Sequence, residues 1–534
     1  MTPILNTDGY KIDHRRQYPK ETKLVYSNFT PRKSRVEGVN QVVVFGIQYY
    51  VISTLIELWN KEFFSKPFEE VGKAFYRRIK NYTSPEAADA IGIEHVRLLH
   101  DLGYMPLEIK AIPEGVAIPI RVPAYTVVST MDQFYWLTNY IETDMSCETW
   151  GPMTSATTAF EYYKIFSKWA MKTVGNIDFV PFQGHDFSYR GMFGREAAKV
   201  SGAAHLTSFV GTDTIPAIGL LEDYYKADSD KELVGCSVFA TEHAVMCVGT
   251  GFYIKKGNLT WERYGDAEFE VFKRLITEVY PNGIISIVSD TWDLWKVLTD
   301  YLPRLKEIIL ARNGKVVIRP DSGDPIDIMC GEMLFKQEGR NYREVKRKEF
   351  PGQEMVEVKG DEPIFKGVVE LLWDIFGGTM TEKGYKLLDP HIGAIYGDSI
   401  TTKRADTICE KLEAKGFASI NWVAGIGSYT YQYVTRDTYG FAMKATYAEV
   451  EIENERAGIE IFKDPITDDG TKKSARGLLG VFKDDHSGAL YLEDQLSWDK
   501  EKQGELKTIF KDGNLVVQQS LAEIRERVKN NSWK

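Results

Sequence analysis

The chain has 534 residues, of which 43% are hydrophobic and 27% charged, so it is long enough for two or three packed globular domains. Its net charge of −10 argues against binding to an extended nucleic acid, although a small phosphorylated substrate needs only a local group of cations. The five cysteines form no C-x-x-C pair, no apolar run reaches membrane-spanning length and no signal peptide is evident, so we expect a cytoplasmic protein with reduced thiols.

The two ends of the chain contain short β-type runs. Residues 42–45, the proline-interrupted stretch 107–122 and residues 445–461 are typical of antiparallel strands and turns. We therefore predict that residues 1–150 and 430–534 pack together as a discontinuous, β-rich second domain. Residues 151–429 are then left as the catalytic domain.

This central part repeats one pattern, in which a short apolar run is followed by a polar turn and usually a helix. The predicted strands are 179–182, 206–210, 237–240, 284–288, 315–318, 392–396 and 420–424. Seven such units in a row favour an α/β barrel over the alternative, an open doubly wound sheet. The turns that follow the strands would then share one face. The charged segment 329–384 is predicted to contain a surface insertion.

The strongest local motif is Arg319-Pro320-Asp321-Ser322-Gly323 at a strand end. An arginine there can bind a phosphate with two hydrogen bonds, and an aspartate two residues later can hold Mg²⁺. The alternative is a structural ion pair in a tight turn.

Two glycine-containing turns are candidates for phosphate binding. Gly397-Asp398-Ser399 lies at a predicted helix start, where free N–H groups favour a 5′-phosphate, although a plain helix cap is the alternative. Gly427 and Ser428 let the backbone approach a phosphate, but no G-x-G-x-x-G motif follows. A Walker A motif is absent from the sequence.

The remaining candidates suit a planar, uncharged base. Phe187 and Arg190 place a ring and a cation on one turn, and Asp213 can accept a hydrogen bond from an amide. His243, beside Glu242, is a candidate acid, base or phosphoryl acceptor. The alternative roles are core packing for Phe187, helix capping for Asp213 and structural hydrogen bonding for His243. Together these residues predict a site for a sugar phosphate, a metal-bound pyrophosphate and a neutral ring.

In order and approximate spacing, these motifs resemble the nicotinamide phosphoribosyltransferases, a family of type II phosphoribosyltransferases. The resemblance covers nearly the whole chain. The matching blocks are residues 7–11, 185–191, 211–214, 242–243, 319–323, 397–398 and 435–437.

The resemblance implies an irregular α/β barrel and a homodimer whose active sites are shared between subunits. The nicotinamide ring would lie between Phe187 of one subunit and Tyr10 of the partner subunit, with Asp213 accepting from the carboxamide. Asp290 and Asp321 would hold Mg²⁺, and ATP would phosphorylate His243. The other implied contacts to base, ribose or phosphates are Arg190, Arg319, Pro320, Asp321, Gly397, Asp398, Gly427, Ser428, Arg436 and Lys444.

The implied activity joins nicotinamide to phosphoribosyl pyrophosphate for NAD salvage, with His243, Asp321 and Arg319 as catalytic residues. Nicotinate phosphoribosyltransferase is the alternative within the same fold, but Asp213 would repel a carboxylate substrate. A catalytically silent binding protein is the alternative of another class, and the phosphate and metal motifs argue against it. The sequence departs from the family at Ser428, where a glycine is expected, and in a longer stretch between Pro325 and Gly397.

Overall fold

The computed structural model describes residues 2–346, 353–397, 399–463 and 475–531. Two seven-stranded sheets, one parallel and one antiparallel, organise these residues. Asp398 lies outside the described residues, so the role predicted for its carboxylate stays a prediction. Among the described residues, no helix is both long enough and apolar enough to cross a membrane.

The parallel sheet forms the irregular α/β barrel that the sequence predicts. Its strands are β1 Gly184–Asp186, β2 Gly211–Thr212, β3 Phe239–Ala240, β4 Asn282–Val288, β5 Asn313–Arg319, β6 Ile392–Tyr396 and β7 Trp422–Ile426. They lie in the order β2-β1-β7-β6-β5-β4-β3. The two outer strands are linked because Cys236 pairs with Gly211 of β2 just before β3 pairs with β4. The sheet therefore curls around an interior instead of remaining open.

The first two strands begin downstream of their predicted positions. Val180–Phe182 forms a 3₁₀ turn, and the apolar run 206–210 follows a helix instead of forming β2. The reason is packing: Phe209 is fully buried, and its ring would lie 2.9 Å from a Cβ added to Gly184 in β1. The apolar residues fill the core, while the short polar segments that follow them form the strands. The other five predictions overlap the observed strands.

Helices cover the barrel and connect its strands. In the barrel region they are Arg195–His205, Ile215–Tyr225, His243–Lys256, Tyr264–Arg274, Leu294–Lys296, Leu302–Leu310, Pro325–Cys330, Gly367–Phe376, Thr402–Ala414 and Ser428–Tyr431. Their apolar faces and the strands share one large core in which Ile287, Ile318 and Trp422 are fully buried.

The longest helix, Glu142–Thr173, runs across the predicted domain boundary at residue 150. It contacts Gln41–Val43 near its middle, where Thr157 accepts from the Val43 N–H, and Thr402–Ala414 near its end, where Trp169 donates to Asp406, so it joins the two parts of the molecule. Residues 152–157 are all buried. This middle stretch is buried on every side and has no exposed face, which is why the sequence pattern did not reveal the helix.

The antiparallel sheet combines both ends of the chain. Its strands, in spatial order, are Glu455–Glu460, Phe441–Ile452, Thr22–Pro31, Tyr125–Ser129, Leu107–Ala111, Lys507–Lys511 and Asn514–Leu515. A helical layer, Phe68–Tyr82, Pro85–Ile91 and Glu94–Leu102, shares the core of this sheet. Two further strand pairs are Gln41–Val43 with Ala117–Pro119 and Leu478–Lys483 with Leu490–Leu496.

The segment 329–384 divides into two parts. Phe335–Gln337, Arg340–Lys346 and Gln353–Val358 form a small antiparallel sheet of their own. The helix Gly367–Phe376 instead buries Val368 and Leu372 in the barrel core. Only the first part has the character of an addition to the barrel.

Candidate active site

The turns after β4 and β5 are joined by one aspartate. Asp290 Oδ2 accepts hydrogen bonds from the backbone N–H groups of Asp321 and Ser322, at 2.9 and 2.8 Å, and from the Ser322 hydroxyl at 2.5 Å. These bonds fix the turn that the sequence marks with Pro320 and Gly323. The carboxylate of Asp321 is thereby held beside that of Asp290.

His243 lies against the same turn, at the first residue of the helix His243–Lys256. Its Nε2 is 3.2 Å from Asp321 Oδ1, and its Nδ1 is 3.2 Å from the Thr291 hydroxyl oxygen. A carboxylate accepts hydrogen bonds only, so Nε2 carries the proton in a neutral ring and Nδ1 keeps the lone pair. The structure therefore presents His243 with one nucleophilic nitrogen.

The carboxylates of this group suit a hard divalent cation. One ligand atom each from His243, Asp290 and Asp321 lies within 4.8 Å of the others. The second oxygen of Asp290, Oδ1, is buried and has no hydrogen-bond partner among the described residues. A buried, unpartnered carboxylate oxygen beside a second carboxylate fits Mg²⁺, which prefers oxygen ligands.

Arg319 links this acidic group to the rest of the barrel mouth. One of its guanidinium N–H groups donates to the Thr241 carbonyl, whereas its Nε is buried without a partner among the described residues. Burial lowers the pKa of Arg319, and the nearby carboxylates Asp321, Asp213 and Asp290 oppose that shift. The guanidinium remains a cation, with the carboxylates of Asp290 and Asp321 on one side and that of Asp213 on the other.

Asp213, at the end of β2, has one oxygen already occupied. Oδ1 accepts from His185 Nε2 at 2.9 Å and from the Ser237 hydroxyl at 2.7 Å. Burial by itself raises the pKa of Asp213. The hydrogen bond and charge of His185, the hydrogen bond of Ser237 and the charge of Arg319 lower this pKa by more than burial raises it, so the net shift is downward. Asp213 is therefore an ionised acceptor at neutral pH.

The ring of Phe187 is positioned by close packing. A Cβ added to Gly425 in β7 would lie 2.7 Å from the Phe187 ring and 2.5 Å from the Tyr396 carbonyl oxygen. The Phe187 N–H also donates to the Ile426 carbonyl at 2.9 Å. A glycine in β7 is thus what allows the ring to lie across the strand end.

The loops that contain Gly191 and Ser428 fit together in a similar way. A Cβ added to Gly191 would lie 1.9 Å from the hydroxyl oxygen of Ser428. Ser428, the departure from the expected glycine, is therefore accommodated by the absence of a side chain at Gly191. Gly397 packs less tightly against the Arg319 turn, since a Cβ there would lie at ordinary contact distances, 3.4 Å from Asp321 and 3.8 Å from Arg319.

A cavity of about 250 Å³ continues from this mouth into the barrel. Phe187, Asp213 and Arg319 line it near the carboxyl ends of the strands, and Ile284 and Lys315 line it toward their amino ends. Lys315 and Ile284 are paired neighbours in β5 and β4. The cavity offers an apolar wall with a few polar groups, as small aromatic ligands require.

Three other predicted residues lie on the side of the antiparallel sheet: Lys444, Arg436 and Tyr10. Burial lowers the pKa of Lys444, and the positive charges of Arg32, Lys463 and Arg436 lower it further, so these cations form one group. Tyr10 is 65% exposed and contacts His14 and Lys11. Within the described part of a single chain, no ring contact joins Tyr10 to Phe187.

Sequence reasoning missed several polar partners in the site. His185, Ser237 and Thr291 each bond a predicted residue, but Ser237 and Thr291 stand alone in the sequence without a spacing that marks them. His185 alone had a usable signal, because it lies two residues before Phe187 and such residues share one face of a strand.

The chain matches two sequence families. Residues 182–514 match the nicotinate phosphoribosyltransferase family, and residues 3–70 match the N-terminal domain of nicotinamide phosphoribosyltransferase.

Two relatives carry the same name. Nicotinamide phosphoribosyltransferase of Acinetobacter baylyi is 47% identical over 99% of this chain and 97% of its own. That of Mycoplasma pneumoniae is 31% identical over 89% of this chain and 94% of its own. Among solved structures, nicotinate-nucleotide pyrophosphorylase from Pyrococcus furiosus has the same fold, with a TM-score of 0.52 and 13% identity over 99% of this chain and 94% of that one. The resemblance noted in the sequence is confirmed, and the chain belongs to the nicotinamide phosphoribosyltransferase family of pentosyltransferases.

Proposed function

We propose that this chain joins nicotinamide to phosphoribosyl pyrophosphate and releases nicotinamide mononucleotide and pyrophosphate, a reaction of NAD salvage. The observation that carries the proposal is the ionised Asp213, held by His185 and Ser237 at the mouth beside Phe187. A carboxylate there accepts a hydrogen bond from the nicotinamide NH₂ group. It repels the carboxylate of nicotinate.

The bond-forming step requires little proton transfer. The pyridine nitrogen has a free lone pair, which attacks ribose C1 while the bond from C1 to the pyrophosphate oxygen breaks and its electron pair leaves with pyrophosphate. No N–H bond has to be broken, so no general base is needed. Phe187 and Asp213 orient the ring, and Arg319 stabilises charge that develops on the leaving group.

The acidic pair Asp290 and Asp321 would hold Mg²⁺ through carboxylate oxygens, including the unpartnered Oδ1 of Asp290. When bound, the ion supplies positive charge to the pyrophosphate. The turn bonds of Asp290 Oδ2 leave Oδ1 for this purpose.

His243 is proposed to accept the γ-phosphoryl group of ATP. The lone pair of Nδ1 would attack γ-phosphorus while the bond to the ADP oxygen breaks and its electron pair leaves with ADP. The proton would stay on Nε2, and Asp321, at 3.2 Å, would stabilise the positive charge that the ring acquires. Such a step would couple ATP hydrolysis to synthesis of the mononucleotide without taking part in formation of the C1–N bond.

We also propose that the active form is a homodimer with shared sites. The helix that begins at His243 leaves an apolar stripe exposed, with Val248 at 74% and Phe252 at 56%, and Val245 on the same face. Tyr10, which the family resemblance assigns to the partner's site, is exposed as well. A second copy of the chain would cover this stripe and bring its Tyr10 toward Phe187.

Mass analysis of products tests the proposal. The enzyme is mixed with Mg²⁺, phosphoribosyl pyrophosphate and either nicotinamide or nicotinate, with and without ATP. Nicotinamide mononucleotide and pyrophosphate are the expected products, and preferential formation of nicotinate mononucleotide would make the alternative family activity the correct one. Absence of both mononucleotides would contradict a phosphoribosyltransferase.

A separate measurement tests the ATP step. Incubation with labelled ATP should place an acid-labile phosphate on the wild-type chain and none on His243→Ala. His391→Ala is the matched control because His391 also has an aspartate partner, Asp389, at 2.7 Å, and it should be labelled normally.

A further inference from the structure

A fully buried histidine lies behind the proposed site. His205 ends the helix Arg195–His205 and has no exposed surface. Its Nε2 is 3.0 Å from the Gly211 carbonyl oxygen, and its Nδ1 is 2.7 Å from the Tyr431 hydroxyl oxygen. Its ring also stacks on Phe209, with centroids 5.0 Å apart. Both nitrogens and one face of the imidazole thus have partners.

These partners fix the direction of both hydrogen bonds. Burial lowers the pKa of His205 to about 4, so the ring is neutral at physiological pH. The Gly211 carbonyl can only accept, so Nε2 carries the proton and donates to it. Nδ1 then has a lone pair, and the Tyr431 hydroxyl must be its donor. The chain of bonds runs from Tyr431 through His205 to Gly211.

The two ends of this chain of bonds belong to different parts of the site. Gly211 lies two residues before Asp213, the proposed acceptor for the base. Tyr431 ends the short helix Ser428–Tyr431, which follows Gly427 at the proposed phosphate loop. That helix is also tied to the Arg190 loop, because Gln432 accepts from the Phe193 N–H at 2.6 Å.

We propose that His205 and Tyr431 are positioning residues that hold the base-recognition strand and the phosphate loop at one fixed separation. This inference rests on the proposed function. Neither side chain touches substrate. A nucleotide spans both parts of the site. Because the link between them is rigid, binding of the phosphate orders the base pocket before the base arrives, and the two substrates bind cooperatively.

Direct binding measurements test the link. The affinity for nicotinamide is measured by calorimetry with and without saturating ribose 5-phosphate, and wild type is expected to bind nicotinamide more tightly when the sugar phosphate is present. Tyr431→Phe removes only the donor hydroxyl. Loss of one buried hydrogen bond, about 1 kcal/mol, should reduce that enhancement about fivefold. The KM for both substrates should rise by a similar factor.

A second variant breaks the same bond from the other side. In His205→Gln the amide NH₂ can still donate to Gly211 from the position of Nε2, but the amide oxygen then points away from the former position of Nδ1, so the Tyr431 hydroxyl loses its acceptor. It should lose the enhancement to the same extent, and His205→Gln/Tyr431→Phe should lose no more than either single variant. The double variant should also melt at a higher temperature than His205→Gln, because its phenylalanine leaves no buried hydroxyl unpaired.

The control is Tyr26→Phe, which removes another buried tyrosine hydroxyl, one that donates to the Leu479 carbonyl at 3.2 Å in the antiparallel sheet. It should lower the melting temperature and leave the enhancement intact. The inference is overturned if wild type shows no enhancement, or if Tyr431→Phe behaves like Tyr26→Phe. If wild type makes no nicotinamide mononucleotide at all, the proposed function itself fails.

Discussion

A single oxygen of Asp213 accepts both protein hydrogen bonds, from His185 and from Ser237. The pair of donors keeps the carboxylate ionised and oriented, while the charge as a whole still faces the cavity. Choice between an amide and an acid substrate therefore depends on the charge of this one side chain.

Asp213→Asn should reverse that choice. The neutral amide no longer repels nicotinate and loses a charged acceptor for nicotinamide, so kcat/KM for nicotinamide should fall at least tenfold relative to that for nicotinate. Steady-state kinetics with both substrates measure the ratio. Ser237→Ala, which perturbs the pocket but keeps the charge, should retain the preference for nicotinamide. An unchanged ratio in Asp213→Asn would exclude Asp213 as the selecting group.

The pH dependence of wild type follows from the same carboxylate. Its pKa lies below the ordinary value of 3.8, so Asp213 loses its charge only under strongly acidic conditions. The preference for nicotinamide should accordingly stay constant between about pH 8 and pH 5.

Motif residues at strand ends were the part of the site that the sequence could predict. Arg319, Asp321 and His243 meet because parallel strands end on one face of a barrel. Their supporting partners could not be found, because a lone Ser237 or Thr291 has no spacing that separates it from other hydroxyl residues. The Tyr431–His205 contact joins residues 226 positions apart, and only the folded chain brings them together.

At the scale of elements, the loop of Gly191 and the loop of Ser428 pack as a matched pair. Gly191 does not have a positive φ, so alanine fits its backbone, and the clash with Ser428 is the only obstacle. Gly191→Ala should therefore lower kcat/KM about tenfold by displacing the phosphate loop.

Adding Ser428→Gly to that variant should restore most of the activity, because it removes the atoms that the new methyl group meets. Gly219→Ala, at a position with no heavy atom within 4 Å of the added Cβ, is the control and should be neutral. Failure of Ser428→Gly to rescue Gly191→Ala would show that the two loops are not matched.

A buried acid makes the helix Tyr264–Arg274 sensitive to pH. Glu268 is fully buried and accepts from Tyr301 at 3.0 Å. Burial raises its pKa from 4.5 to about 7, Asp293 adds to this, and Tyr301 and Lys296 oppose it. The folded state thus holds the proton more tightly than the unfolded chain, and the free energy of unfolding falls as the pH rises from about 4.5 to 7.

Glu268→Gln should remove this dependence. Glutamine is neutral at every pH and can still accept from Tyr301, so the variant should be more stable by roughly 1–3 kcal/mol at pH 8 and almost unchanged at pH 5. Denaturation midpoints at the two pH values give the comparison. Glu270→Gln, on the same helix but half-exposed, should show no such gain. An equal effect of Glu268→Gln at both pH values would contradict the sign of the shift.

Elements were predicted best where apolar runs were themselves strands, as in Ile392–Tyr396. The first two barrel strands were misplaced because core-filling residues such as Phe209 precede them. The helix Glu142–Thr173 was missed because its middle, residues 152–157, is buried on all sides, which removes the alternation of polar and apolar residues on which such predictions depend.

At the scale of the whole molecule, the proposed sharing of active sites between subunits predicts complementation between two inactive variants. Tyr10→Ala lacks the exposed ring, and Asp321→Ala lacks the barrel carboxylate. When the two are co-expressed and mix at random, half of the dimers are mixed and each contains one intact site, so activity should return to about one quarter of wild type. Separately purified variants should stay inactive. No recovery on mixing would place Tyr10 and Asp321 in the same subunit's site.

The antiparallel sheet also has a consequence for synthesis of the protein. Thr22–Pro31 pairs on one side with Tyr125–Ser129, but its other neighbour, Phe441–Ile452, is translated more than 400 residues later. At roughly 5–20 residues per second, one edge of this largely buried strand waits on the order of tens of seconds for its partner. The nascent chain thus carries an unpaired strand edge during most of its time on the ribosome, and in that period the edge is open to pairing with neighbouring chains.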